Sequence, residues 1–234
     1  MFKKSLLLFT SLLIIYSCKK EPTSISKKDG FIISLSIEGV NNKKVFLHKF
    51  SSVNSEIIDS TTLKNDNAEF IGVVTYPERY LITIEHVFGG KLIIIENDSI
   101  FISASKENLV NAQIIGSELN NELDDFLNKI EKIYSKVDAL FPAMQRARLA
   151  NDASKLKDIS NKMQQIELEG IEYSFNYASE NPNSFIAAMI LNDLSKRDSI
   201  DIKKLESGYN TLSAEVKKSI DSKELISFLN GSYK

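Results

Sequence analysis

Tryptophan is absent from this chain of 234 residues, which holds one cysteine, two histidines, four prolines and nine glycines. Each shortage removes a class of chemistry. A lone thiol can form no disulfide within the chain and has no resolving partner for thiol exchange. His48 and His86, without cysteines around them, fall short of the three or four ligands that a zinc site takes, so no metal is expected. No Gly-x-x-x-x-Gly-Lys and no Gly-x-Gly-x-x-Gly occurs, so no nucleotide cofactor is expected either. Neither sign of charge dominates. The 29 Lys and Arg stand against 31 Asp and Glu, without the basic excess of a nucleic-acid binder. Long apolar runs are missing as well. The stretch 80–102 is broken by Glu85, His86, Gly89–Gly90, Lys91, Glu96 and Asp98. It reads as strands, not as a membrane span of about 20 apolar residues.

What the chain does have is concentrated at its start. Lys3 and Lys4 precede an apolar stretch from Leu6 to Tyr16, interrupted only by Thr10 and Ser11, and Ser17–Cys18 closes it. A basic start, a short apolar segment and a small residue at the end make a secretory signal peptide over residues 1–17. The segment Ile15-Tyr16-Ser17-Cys18 resembles a bacterial lipobox, with Tyr16 where the stricter pattern has Ala, Ser or Thr. The resemblance implies that Cys18 carries the lipid and becomes the mature N-terminus. The plainer alternative is a signal peptide followed by a coincidental cysteine, but Cys18 is the sole cysteine and stands where it has this meaning. Multiple acyl chains give stable anchoring, since each buried CH₂ contributes about 0.8 kcal/mol. Residues 18–29, with Lys19-Lys20-Glu21-Pro22 and Lys27-Lys28, read as a polar tether. Loss of residues 1–17 removes two lysines and leaves a net charge of −4.

The pattern changes near residue 116. From Gly30 to Gly116 the runs are short, β-branched and partly alternating: 31–37, 44–48, 56–61, 69–74, 79–85, 91–95 and 99–103, with a last short run at 111–115. Asn41-Asn42, Asn65-Asp66-Asn67 and Gly89-Gly90 supply turn chemistry. Seven or eight strands at this spacing predict an antiparallel sandwich or partly open barrel over 30–116. After it, Ser117 can cap a helix. Leu123, Phe126, Leu127, Ile130, Ile133, Tyr134, Val137, Leu140 and Phe141 make one helical face, which Pro142 kinks or divides. A second long helix is expected over 153–179, a short buried one over 184–194, and others over 202–209, 213–219 and 222–229. The fold class is therefore α+β, a β domain over 30–116 followed by a helical domain over 117–234.

Several motifs in this frame are shared with a known module. They are Phe31-x-Ile33 with Gly39, the Ile58-Asp59-Ser60 strand, Phe70-x-Gly72, Pro77 with Tyr80, Ile95-Glu96-Asn97-Asp98, Gly116-Ser117 before Asn120, and Asn181-Pro182-Asn183-Ser184. In this order they resemble domain of unknown function 4369, over roughly residues 30–230. The resemblance implies a lipoprotein module that usually precedes a thioredoxin-like thiol–disulfide domain. This sequence ends at Lys234, about where such a domain would begin, and it has no Cys-x-x-Cys. No redox activity is expected to carry over.

The remaining candidates are weighed against simpler readings. Asp59 beside Ser60 could enter a catalytic triad, but no Gly-x-Ser-x-Gly elbow supports one and a sheet position explains both. Glu167, Glu169 and Glu172 read as an acidic helix surface. Arg146 and Arg148 could meet an anion, but a helix C-terminus favours cations by itself. Three triplets, Asp59-Ser60-Thr61, Asp98-Ser99-Ile100 and Asp198-Ser199-Ile200, resemble a bacterial O-glycosylation signal; Ser199, in a polar linker, is the one expected to be exposed. These observations predict a cell-envelope protein anchored to the membrane by lipid at Cys18, the outer membrane being the expected one. Its face, periplasmic or surface, is left open. It would act as a non-catalytic binding or scaffold module with no cofactor and no nucleic-acid partner. The alternative is an auxiliary partner of a separate thioredoxin-like protein, and an envelope hydrolase comes last for want of a site.

Overall fold

A computed structural model describes residues 29–49 and 56–232. Eight strands come first: β1 (Phe31–Glu38), β2 (Lys44–Lys49), β3 (Glu56–Thr62), β4 (Asn67–Gly72), β5 (Glu78–Ile84), β6 (Gly90–Ile95), β7 (Ser99–Ser105) and β8 (Gln113–Ile115). They form two four-stranded sheets, in the orders β4-β1-β7-β8 and β3-β2-β5-β6. Alternation drives the packing. Ile33, Leu35 and Ile37 of β1, Val45 and Leu47 of β2, Tyr80, Ile82 and Ile84 of β5, and Ile100 and Ile102 of β7 point into one apolar core between the sheets. The expected sandwich is therefore present, with one departure from an all-antiparallel arrangement: β1 runs parallel to β7. A parallel neighbour needs a long crossover. Here the whole second sheet, built between β1 and β7 in the chain, serves as that crossover.

Six helices follow: α1 (Glu118–Asp138), α2 (Phe141–Leu149), α3 (Ala153–Glu180), α4 (Phe185–Ser195), α5 (Ile202–Thr211) and α6 (Ile220–Ser232). Ser117 caps α1, Asp152 caps α3, Ser184 caps α4 and Asp201 caps α5, each accepting a hydrogen bond from a first-turn backbone N–H. The division expected at Pro142 falls just before it, at Ala139–Leu140. Pro142 then falls in the first turn of α2, where its missing N–H costs nothing. The helix expected over 213–219 is reduced to one 3₁₀ turn, Val216–Lys218. Ser219 leaves helical geometry and its hydroxyl instead accepts from Ser222 N at the start of α6. As expected, α4 is almost wholly buried, and it lies at the centre of a second apolar core with Leu123, Phe126, Phe175, Leu205, Leu225 and Leu229.

The two cores meet at β6. Ile93 and Ile95 point into the sandwich, whereas Ile94 points into the helical core. A strand buried on both faces reads as a continuous apolar run, which accounts for Leu92-Ile93-Ile94-Ile95. Because β6 is an edge strand, its outer backbone groups need partners. Asn120 of α1 provides them at Ile94: its Oδ1 accepts from Ile94 N at 2.9 Å and its Nδ2 donates to Ile94 O at 2.7 Å. Asn97 makes the same two-way bond with the backbone of Val74, at 2.9 and 2.8 Å. Gly116 turns the chain from β8 into α1 with φ +91°, and a Cβ there would lie 2.4 Å from the Ser99 carbonyl oxygen. Only glycine meets both conditions.

Candidate functional site

The outward face of β5 carries Arg79, Leu81 and Thr83, opposite in direction to Tyr80, Ile82 and Ile84. Arg79 sits where the helices cover that face, with only 9 % of its side chain exposed. Its Nη2 donates to Asp221 Oδ1 of α6 at 2.5 Å and its Nη1 to Asp193 Oδ2 of α4 at 2.6 Å. Asn192 donates to the same Asp221 oxygen at 2.9 Å and to Glu224 at 2.8 Å. Lys196 lies 3.6 Å from Asp193 and 4.0 Å from Glu224. One guanidinium thus joins a strand to two helices, 114 and 142 residues further along the chain. Burial works against its charge, but the attraction of Asp221 and Asp193 and their hydrogen bonds outweigh it and hold Arg79 above the ordinary arginine value. Asp221 stands in the first turn of α6, where the helix dipole favours an anion.

A cleft of about 880 Å³ opens beside this network, between the turn after α4 and α6. Lys196, Arg197, Ser199, Lys223, Glu224 and Phe228 are among its walls. Several of its charges are matched by neighbours. Arg197 Nη2 meets Glu167 at 2.5 Å, while Lys196 and Glu224 belong to the Arg79 network. Neither histidine lines it. Its walls thus carry charges of both signs, with the Arg79 network behind them.

The sequence candidates fall at separate places. Cys18 lies outside the described residues. Ser199 is exposed in the turn between α4 and α5, in left-handed geometry (φ +60°), and lines the cleft. Ser60 and Ser99, expected to be covered, are exposed too, but on β3 and at the start of β7. Asp59 accepts from the backbone N–H of Ser60 at 2.7 Å, and Asp98 from that of Ser99 at 2.6 Å. His48 lies on β2 as expected, and its Nε2 is 2.8 Å from Thr83 Oγ1. His86 is not on a strand but in the turn after β5 (φ +59°). No group of three potential metal ligands occurs among the described residues. Glu167, Glu169 and Glu172 are more than an acidic surface. They pair with Arg197, Lys136 and Lys204 and tie α3 to the turn after α4, to α1 and to α5. Arg146 and Arg148 lie exposed in the last turn of α2.

Sequence reasoning gave no role to Arg79, Asn192, Asp193 and Asp221, and named Asn97 and Asn120 only as motif residues of the resemblance. Two signals were available. An arginine opens the run Arg79-Tyr80-Leu81-Ile82-Thr83-Ile84, and Asn192-Asp193 interrupts the otherwise apolar Phe185–Leu194. Polar groups inside such runs require partners.

Residues 31–123 match the family model described as Domain of unknown function (DUF4369). The match spans both sheets and the first turns of α1, so it bears out the resemblance over that part of the chain. No curated protein and no solved structure matches the chain. Two asparagines within the matched region, Asn97 and Asn120, serve as backbone clamps.

Proposed function

We propose that this chain is a cell-envelope lipoprotein, anchored through lipid on Cys18, whose folded part is a non-catalytic binding or scaffold module. The observation that carries the reading is the position of the sole cysteine, directly behind a basic and then apolar N-terminal segment. The binding half is supported by the cleft, whose walls carry charges of both signs, several of them held in ion pairs. No helix among the described residues is long and apolar enough to cross a membrane, and the proposed attachment needs none. The outer membrane is the proposed location. Replacing Cys18 with Ala should move the protein from the membrane to the soluble fraction; retention in the membrane would refute the anchor.

A second reading is favoured by the family match over residues 31–123. Modules of that kind, by the resemblance drawn above, stand ahead of thioredoxin-like domains. The chain would then be an auxiliary partner of a separate thiol–disulfide protein, without a redox site of its own. Mild solubilisation of the envelope, capture of the anchored protein and mass spectrometry separate the two. Stoichiometric recovery of a Cys-x-x-Cys protein supports the second reading; recovery of other envelope components without one supports the first.

A further inference from the structure

The outer face of the β4-β1-β7-β8 sheet is divided along its strands. At one end stand Ile32, Ile71, Phe101 and Ile115, with Val73 just past β4; all are exposed, Ile71 and Val73 to 70 and 71 %. The register brings them together. Ile32 lies opposite Ile71, Phe101 lies opposite Ile115 one row further along, and the two pairs meet diagonally across the neighbouring strands β1 and β7, with Ser99 in the first row and the hydrogen-bonded Ser34 and Glu69 in the second. At the other end the outward residues are Ser36, Glu38, Asn67, Ser103 and Gln113. The helices pack on the other sheet, at β5 and β6, and leave this one uncovered among the described residues.

We infer that the apolar end of this face rests on the lipid surface to which the chain is anchored, an inference that builds on the proposed lipid at Cys18. Three observations select lipid as the occupant. First, the apolar end is where the chain enters the fold: a Cβ on Gly30 would lie 3.2 Å from Val73 Cγ2. Only residues 19–30 separate Cys18 from Phe31, a reach of at most about 47 Å, and the apolar end is the part of this sheet next to that entry point. Second, Lys19, Lys20, Lys27 and Lys28 precede this end, and basic residues beside a membrane are drawn to anionic headgroups. Third, the five side chains expose roughly 500 Å² together, short of the about 800 Å² that each partner buries in a stable dimer. A tethered contact needs far less, because the anchor makes it intramolecular.

The absence of tryptophan supplies the test. Ile71→Trp places the only indole on the patch, and Leu149→Trp places it on α2, where Leu149 is 85 % exposed. The full lipidated chain is reconstituted in vesicles of phosphatidylethanolamine and phosphatidylglycerol, with and without brominated acyl chains. Brominated lipid should reduce Ile71→Trp emission at least about twofold and leave Leu149→Trp unchanged, as expected for a contact sunk 5–10 Å into the interface. Equal quenching of the two, or none, overturns the inference. A blue shift of Ile71→Trp that needs no vesicles and grows with protein concentration also overturns it, and assigns the face to a second copy of the chain. Failure of the anchor itself is seen separately, as absence of acyl mass on Cys18. In that case the same variants are titrated directly with vesicles, and quenching confined to Ile71→Trp upholds the face while its absence overturns it.

Discussion

Replacing Arg79 with Met should destabilise the protein by about 3 kcal/mol or more, because removing one member of a buried ion pair costs about 3–5 kcal/mol. The magnitude is set by what remains. Asp221, 5 % exposed, keeps only the hydrogen bond from Asn192 once the guanidinium is gone. Asp193, 52 % exposed, can turn to water, so its part in the loss is small. The lower end of the range is therefore expected, with the penalty centred on Asp221. In urea, with a slope of about 2 kcal/mol per molar, the midpoint should fall by about 1.5 M. Two companions sharpen the reasoning. Asp193→Asn should cost no more than about 1 kcal/mol, as for an exposed pair. Arg79→Met combined with Asp221→Leu should recover most of the loss, because no buried charge is left behind. An Arg79→Met protein within 1 kcal/mol of the parent, or an Asp193→Asn protein equally damaged, would refute the argument.

Asn120→Ala leaves the N–H and C=O of the fully buried Ile94 without partners and should cost about 2–4 kcal/mol by chemical denaturation; a loss below 1 kcal/mol would mean that water replaces the amide. Gly116→Ala should cost more than about 2 kcal/mol, or fail to fold, since φ +91° and the Ser99 carbonyl both oppose a Cβ. Stability should also fall at alkaline pH. Burial raises the Tyr80 and Tyr177 hydroxyls above the ordinary tyrosine value, and the neighbouring Glu78 and Glu122 raise them further. The folded protein therefore holds these protons more tightly than the unfolded chain. Their contribution is complete below pH about 10, where the unfolded tyrosines begin to ionise, and declines as pH rises above it. Melting temperatures from pH 7 to 11 should show this decline, and Tyr177→Phe should reduce it; an unchanged slope in Tyr177→Phe would refute the assignment.

Most of the element order could be read locally. β1 shows its alternation, Ser117, Asp152 and Asp201 are capping residues in plain view, and the density of apolar residues in 185–194 marks a buried helix. The failures share one cause, dependence on partners distant in the chain. Nothing near β1 says that β7 lies beside it in parallel. Arg79 reads as an ordinary strand residue until α4 and α6 bring their carboxylates to it. Asn120 looks like a helix surface residue, yet it completes the edge of β6. The cleft is formed by residues from 192 to 228, whose meeting depends on how α4 and α6 pack. Its outline is therefore absent from any local pattern, although Ser199, singled out for its exposed linker, does lie on its wall.

The central claim is the anchor, and the most direct test is the mass of the N-terminal peptide of the protein purified from bacterial membranes. The account predicts that the chain begins at Cys18 and that this peptide carries the added mass of diacylglycerol, with or without a third acyl chain. A peptide that begins elsewhere, or one that carries Cys18 as a free thiol, would contradict it.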